Sequence, residues 1–124
     1  MESALKTCLR LVKPAHGLFV LPPALCGVVM AADGWPGAWT ISWMLTAMLG
    51  IWCAAMAYNR IVDRGQDALN PRTAHRILPS GELSVANARW FCAAGAALFL
   101  CSAAMLNMLC FVLAWPALAM ALVY

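Results

Sequence analysis

The twenty residues from Trp39 to Tyr58 carry no formal charge, and the chain turns polar at the very next position. Twenty helical residues extend about 30 Å, the thickness of a bilayer's hydrocarbon core. Further apolar runs occupy residues 15–32, 84–106 and 108–124. Across 124 residues the chain is 65% hydrophobic and 10% charged, with mean hydropathy +0.80. Soluble domains are nearer half apolar and a quarter charged, so composition excludes them. The expected fold is all-α: an integral membrane bundle of about four transmembrane helices, at about 15–32, 39–67, 84–106 and 108–124.

Local chemistry sets the expected breaks. Pro22 and Pro23 should kink the first helix, and Asp33 to Gly37 reads as a turn. The second helix should run about two turns beyond Tyr58, to Asp67, with Pro71 as its firm limit. Residues 68–84 form a polar loop punctuated by Asn70-Pro71, Pro79 and Ser80-Gly81. Ser84 is a plausible N-cap for the third helix, and Asn107 marks a tight turn before the fourth. Ala93, Ala97 and Cys101 repeat at the spacing that lets membrane helices approach closely. The six cysteines show no CxxC pairing and read as small membrane-buried hydrophobes. The first run lacks a clear cleavage site and is followed by more spans, so it reads as a retained helix.

The position of the charges orients the bundle. Lys6, Arg10 and Lys13 precede the first apolar run, and Arg60, Arg64, Arg72, Arg76 and Arg89 lie in or beside the polar segment. Neither tight turn carries Lys or Arg. The positive-inside rule places the N-terminus and polar loop in the cytoplasm, in a protein expected in a bacterial inner (plasma) membrane. The basic residues are dispersed without interleaved aromatics, which argues against nucleic-acid binding.

Asn59, Asp63 and Asp67 stand at four-residue spacing. Four residues advance a helix by roughly 400°, so the three share one stripe. Two readings fit: a solvated helix end with Arg60 and Arg64 in local ion pairs, or a ligand site. The exact register, the small residues Ala54-Ala55-Met56-Ala57 before it, and the arginines Arg72 and Arg76 after it favour a site. Two like charges 4 Å apart repel by about 4 kcal/mol at an effective dielectric of 20. Converging carboxylates therefore call for a counter-cation. Mg²⁺ takes one or two carboxylates together with phosphate oxygens, and arginines can neutralise the remaining phosphate charge. At a membrane boundary this combination suits an amphiphilic diphosphate.

The segment Asn59-Arg60-Ile61-Val62-Asp63-Arg64-Gly65-Gln66-Asp67, with its continuation Ala68-Leu69-Asn70-Pro71-Arg72-Thr73-Ala74-His75-Arg76, resembles the first aspartate-rich motif of the UbiA prenyltransferase superfamily. The loop Leu78-Pro79-Ser80-Gly81-Glu82-Leu83-Ser84 and the approach Lys13 to Pro22 are similar to that family as well. Its 4-hydroxybenzoate polyprenyltransferase-like branch gives the nearest resemblance. The resemblance implies a membrane enzyme of nine helices, of which this chain would supply the N-terminal part. It would transfer a prenyl group from a polyprenyl diphosphate to an aromatic acid, 4-hydroxybenzoate or a relative, in ubiquinone or menaquinone biosynthesis. Asn59, Asp63 and Asp67 would hold Mg²⁺ and the diphosphate, with Asp63 and Asp67 the catalytic pair. Arg72 would contact the diphosphate or the aromatic substrate, and Arg76 would support that loop. His16 is either a packed helix-end histidine or a cavity residue near the acceptor. Lys13 is either an interface anchor or a carboxylate or phosphate contact.

One departure is large. The family carries a second aspartate-rich motif, whereas the only acidic residue after Asp67 is Glu82, in the first loop. An incomplete enzyme, inactive alone, is the expectation. The alternative is a non-catalytic four-helix membrane protein that binds lipid or partner helices. A CDP-linked alcohol phosphotransferase fits less well, because its aspartate-glycine and alanine-arginine elements are missing. Prenyl chain length and oligomeric state are not written in this sequence.

Overall fold

The computed structural model describes residues 2–123, except the side chains preceding Lys6 and those of Cys8, Pro14 and His16. The described residues are helical with connecting turns: α1 (Glu2–Val12), α2 (Pro14–Gly17), α3 (Leu21–Ala31), α4 (Gly37–Leu69), α5 (Val85–Leu106) and α6 (Met108–Val123). The α4–α5 pair forms the main packing seam, with α6 against α5 and, less extensively, against α4, and α1 against α4.

At 33 residues, α4 is about 50 Å long, well beyond the hydrocarbon thickness. Its apolar stretch ends at Tyr58, so the last three turns form a polar extension. Asn70, the residue before Pro71, leaves the helix in an extended conformation (φ −98°, ψ 118°), as the proline ring requires. At the start of α5, Ser84 accepts a hydrogen bond from the Asn87 backbone N–H at 3.1 Å. Asn107 is extended (φ −172°, ψ 169°), and its Oδ1 accepts from Cys110 N at 2.8 Å, capping α6. One residue therefore turns the chain between two helices.

Two expectations need correction. The run 15–32 is not one kinked helix. The chain breaks at Leu18–Val20, and Pro22 and Pro23 sit in the first turn of α3, where a missing N–H costs little. α4 and α5 are long and apolar enough to cross a membrane, whereas Leu21–Ala31 and Met108–Val123 are shorter apolar helices. The small-residue stripe of α5 does not form its contact with α4. Ala93, Ala97 and Cys101 are exposed, and the buried residues of α5 are Ala88, Gly95, Ser102 and Ala103. A helix apolar all round offers no polar face to show which small residues point inward.

At the seam the backbones nearly touch. A Cβ on Gly50 would lie 2.7 Å from Phe99 N and 2.8 Å from Gly95 O. One on Gly95 would lie 2.8 Å from both Ala54 N and Gly50 O. Beyond the seam, towards the polar end, Leu11, Val12, Ala57, Ile77, Leu78 and Ala88 make a buried cluster. That cluster ties α1 and the 70–84 loop to the polar end of the α4–α5 pair. The amphipathic helix α1 was not anticipated from the sequence. Its last two residues, Leu11 and Val12, are both buried.

Candidate functional site

The polar extension of α4 carries the predicted stripe in three different environments. Asn59 is half-buried, Asp63 is exposed, and Asp67 is buried with 7% of its surface accessible. The buried carboxylate is paired: Arg76 Nη1 donates to Asp67 Oδ1 at 2.7 Å and to Oδ2 at 2.8 Å. Burial alone would raise the Asp67 pKa, but contacts with Arg76 and Thr73 and the charge of Arg60 outweigh it, holding the group below its usual value. The stabilisation that this depression represents is complete above the ordinary carboxylate range and is lost as pH falls through the lowered value.

Arg76 reaches Asp67 because the intervening loop is tightly wound. Thr73 and Ala74 both donate their backbone N–H to Asn70 O at 2.9 Å, and Arg76 N donates to Thr73 O at 2.9 Å. Asn70 Oδ1 accepts from Arg72 N at 3.0 Å, an Asx turn at the expected Asn-Pro break. The buried Thr73 hydroxyl donates to the Asp67 carbonyl at 3.0 Å, satisfying an acceptor at the C-terminal end of α4. Ile77 and Leu78 then anchor the loop in the apolar cluster.

Beside the ion pair lies a cavity of about 440 Å³ whose walls include Arg10, Lys13, Arg60, Arg72, His75 and Arg76. Lys13 stands at the junction of α1 and α2 in a left-handed conformation (φ 48°, ψ 69°). Arg10 also reaches Glu82 at 2.5 Å across the molecule. The structure thus gathers Lys13, Arg72 and Arg76 around one space, with Asp67 behind Arg76. Asn59 and Asp63 do not line it, and the side chain of His16 lies outside the described residues.

Local sequence marks Arg60 only as an ion-pair partner, Arg10 as a flanking charge and His75 as a loop residue, yet all three border the cavity. Positions 60, 63 and 67 share a helix face, so Arg60 was within reach of the periodicity argument. The Arg10–Glu82 contact spans 72 positions, and no local signal announces it.

A second cavity, of about 360 Å³, is apolar and lined by Val12, Gly17, Leu21, Leu49 and Trp52 among others. Trp52 Nε1 donates to Val12 O at 3.0 Å. Val12 borders this space and the next residue, Lys13, borders the basic one. Among the described residues, no cluster of three or more His, Cys, Asp or Glu side chains could hold a metal by itself. The donors available are the Asp63 and Asp67 carboxylates and the Asn59 amide. That set fits a cation needing one or two protein carboxylates and completing its shell with water or phosphate.

The profile of the UbiA prenyltransferase family matches residues 20–124. A protoheme IX farnesyltransferase from Acidovorax sp. (strain JS42) is 38% identical over 105 residues, covering 79% of this chain and 34% of that protein. A 4-hydroxybenzoate octaprenyltransferase from Pectobacterium carotovorum subsp. carotovorum (strain PC1) is 35% identical over 81 residues, covering 65% of this chain and 28% of that protein. The apo structure of a UbiA homolog from Aeropyrum pernix K1 superposes with a TM-score of 0.81 at 39% identity, covering 87% of this chain and 39% of that one. The chain spans about a third of the length of these relatives. With its helices, its aspartate-rich segment and 105 of its residues matched, the chain belongs to the UbiA prenyltransferase family.

Proposed function

We propose that this chain forms the part of a membrane prenyltransferase that grips the diphosphate of a polyprenyl diphosphate during transfer to an aromatic acceptor. The observation that carries the reading is the basic cavity at the polar end of a membrane-length helix, bordered one residue away by an apolar cavity. An amphiphile with an anionic head and a hydrocarbon tail matches that juxtaposition. Lys13, Arg72 and Arg76 hold the diphosphate oxygens, the arginines through planar donor forks suited to phosphate. Asn59, Asp63 and Asp67 would hold Mg²⁺. The ion, when bound, adds positive charge to the leaving diphosphate. The basic side chains stabilise the same charge as the allylic carbon–oxygen bond breaks. A carbon of the electron-rich acceptor ring bonds to the allylic carbon and then gives up its proton. The apolar walls around Trp52 keep water from that carbon. In orientation, the polar end faces the cytoplasm of a bacterial inner membrane.

The acceptor is 4-hydroxybenzoate or a related aromatic acid, which places the reaction in quinone biosynthesis. A second acceptor class, protoheme IX, is favoured by the similarity to proteins named protoheme IX farnesyltransferase. Prenyl transfer by the full-length protein, assayed with and without Mg²⁺ against both acceptors, tests the reading. Asp63→Asn and Asp67→Asn should each lower turnover at least about a hundredfold, a scale set by loss of one transition-state charge contact, while membrane insertion is retained. Near-normal Mg²⁺-dependent turnover in both variants would refute the metal assignment.

A further inference from the structure

Arg76 has two competing partners. It belongs to the wall of the basic cavity, and it also neutralises the buried carboxylate of Asp67. Asp67 is one of the two carboxylates to which the proposed function gives the cation. Both oxygens of Asp67 accept from the single nitrogen Nη1, at 2.7 and 2.8 Å. This is not the side-on fork in which two guanidinium nitrogens each take one oxygen, so the pair lacks the strongest arginine–carboxylate geometry. The Arg76 side chain is about a third exposed and borders the cavity, while the Asp67 side chain is 9% exposed. The guanidinium can therefore shift toward the cavity more readily than the carboxylate can reach solvent. Arg60 also lies close enough to influence Asp67 electrostatically, so the carboxylate would keep a cationic neighbour if Arg76 turned away.

Resting on the proposed function, we infer that Arg76 couples cation binding to diphosphate binding by exchanging partners. Without diphosphate, Arg76 serves as the counter-ion of Asp67 and keeps that carboxylate from the divalent cation. When diphosphate enters, Arg76 moves onto its phosphate oxygens and leaves Asp67 to the cation. No bond is made or broken covalently, and each ligand raises the affinity for the other, as linkage requires. Arg76 is a coupling residue in this scheme, with a role beyond support of the loop.

Mn²⁺ alone, with its free concentration read by electron paramagnetic resonance, tests this on the full-length protein in detergent. Arg76→Gln should bind Mn²⁺ about tenfold more tightly than the unaltered protein, within the usual range of coupling factors. The gain should vanish in the Arg76→Gln/Asp67→Asn double variant, and Arg76→Gln should bind inorganic diphosphate more weakly. Arg76→Lys keeps the charge and guards against loss of folding; it should show the same tightening by a smaller factor. Unchanged or weaker Mn²⁺ binding in both Arg76 variants would overturn the exchange. If Asp63→Asn still weakens Mn²⁺ binding in that case, the metal reading stands without it. If neither aspartate variant alters Mn²⁺ binding in any background, the metal reading fails and the exchange falls with it.

Discussion

The α4–α5 seam and the polar end of α4 belong to the same helix and are held by opposite means. At the seam, Gly50 and Gly95 bring two backbones so close that an added Cβ would lie within 2.8 Å of backbone atoms of the facing helix. At the polar end, a buried ion pair, a buried hydroxyl and an apolar anchor hold a loop against the helix. In lipid, apolar side chains gain little by leaving one hydrocarbon for another, so helix association depends on close contact. At the boundary, water returns as a competitor, and charge can be both buried and exchanged. The seam is therefore suited to fixed architecture, and the polar end to a site that responds to a ligand.

The largest expected effect lies at the seam. Gly95→Leu would drive a side chain into the backbone of α4, where neither Ala54 N nor Gly50 O can yield. Overpacking that shifts backbone typically costs about 1–3 kcal/mol and occasionally more, and a leucine at this contact belongs at the upper end. The folded fraction recovered in detergent should collapse; a variant that melts like the parent would show that the two helices are not in contact there. Thr73→Val keeps the volume and removes the hydroxyl that donates to Asp67 O. It should cost about 1–2 kcal/mol, seen as a lowered melting temperature, and it should weaken diphosphate binding because the loop carrying Arg72 and Arg76 loosens. Weakened binding without a melting shift would assign Thr73 to the ligand instead. The smallest effect belongs to Glu82→Gln. Its partner Arg10 and Glu82 itself are about half exposed, and such pairs contribute less than about 1 kcal/mol, screened further by salt. Melting curves of this variant and the parent should differ slightly at low salt and nearly coincide at high salt.

The same contrast explains what could be read from the sequence. Breaks governed by one residue's covalent chemistry were legible: Pro71 ending α4, Ser84 capping α5, Asn107 capping α6. Pro22 and Pro23 were located correctly but misread, because a proline pair serves a first turn as readily as it bends an interior. The helix face that uses Gly50 and Gly95 was not legible, since apolar residues surround both helices and small ones occur on several faces. At the site, the grouping of Asp67 with Arg72 and Arg76 followed from proximity along the chain. That Arg76 would claim both oxygens of Asp67, and that Arg10 and Lys13 would arrive from the other end of the sequence, depends on tertiary packing through Leu11, Val12, Ile77 and Leu78. The periodicity that selected Asn59, Asp63 and Asp67 could not show that only Asp67 is buried.

An experimental structure of the full-length protein with Mg²⁺ and a non-reactive prenyl diphosphate analogue tests the central claim most directly. The account predicts the diphosphate against Lys13, Arg72 and Arg76, the metal between its oxygens and the Asp63 and Asp67 carboxylates, and the tail leaving past Val12 and Trp52. A diphosphate bound elsewhere, with Asp63 and Asp67 remote from any metal, would contradict it.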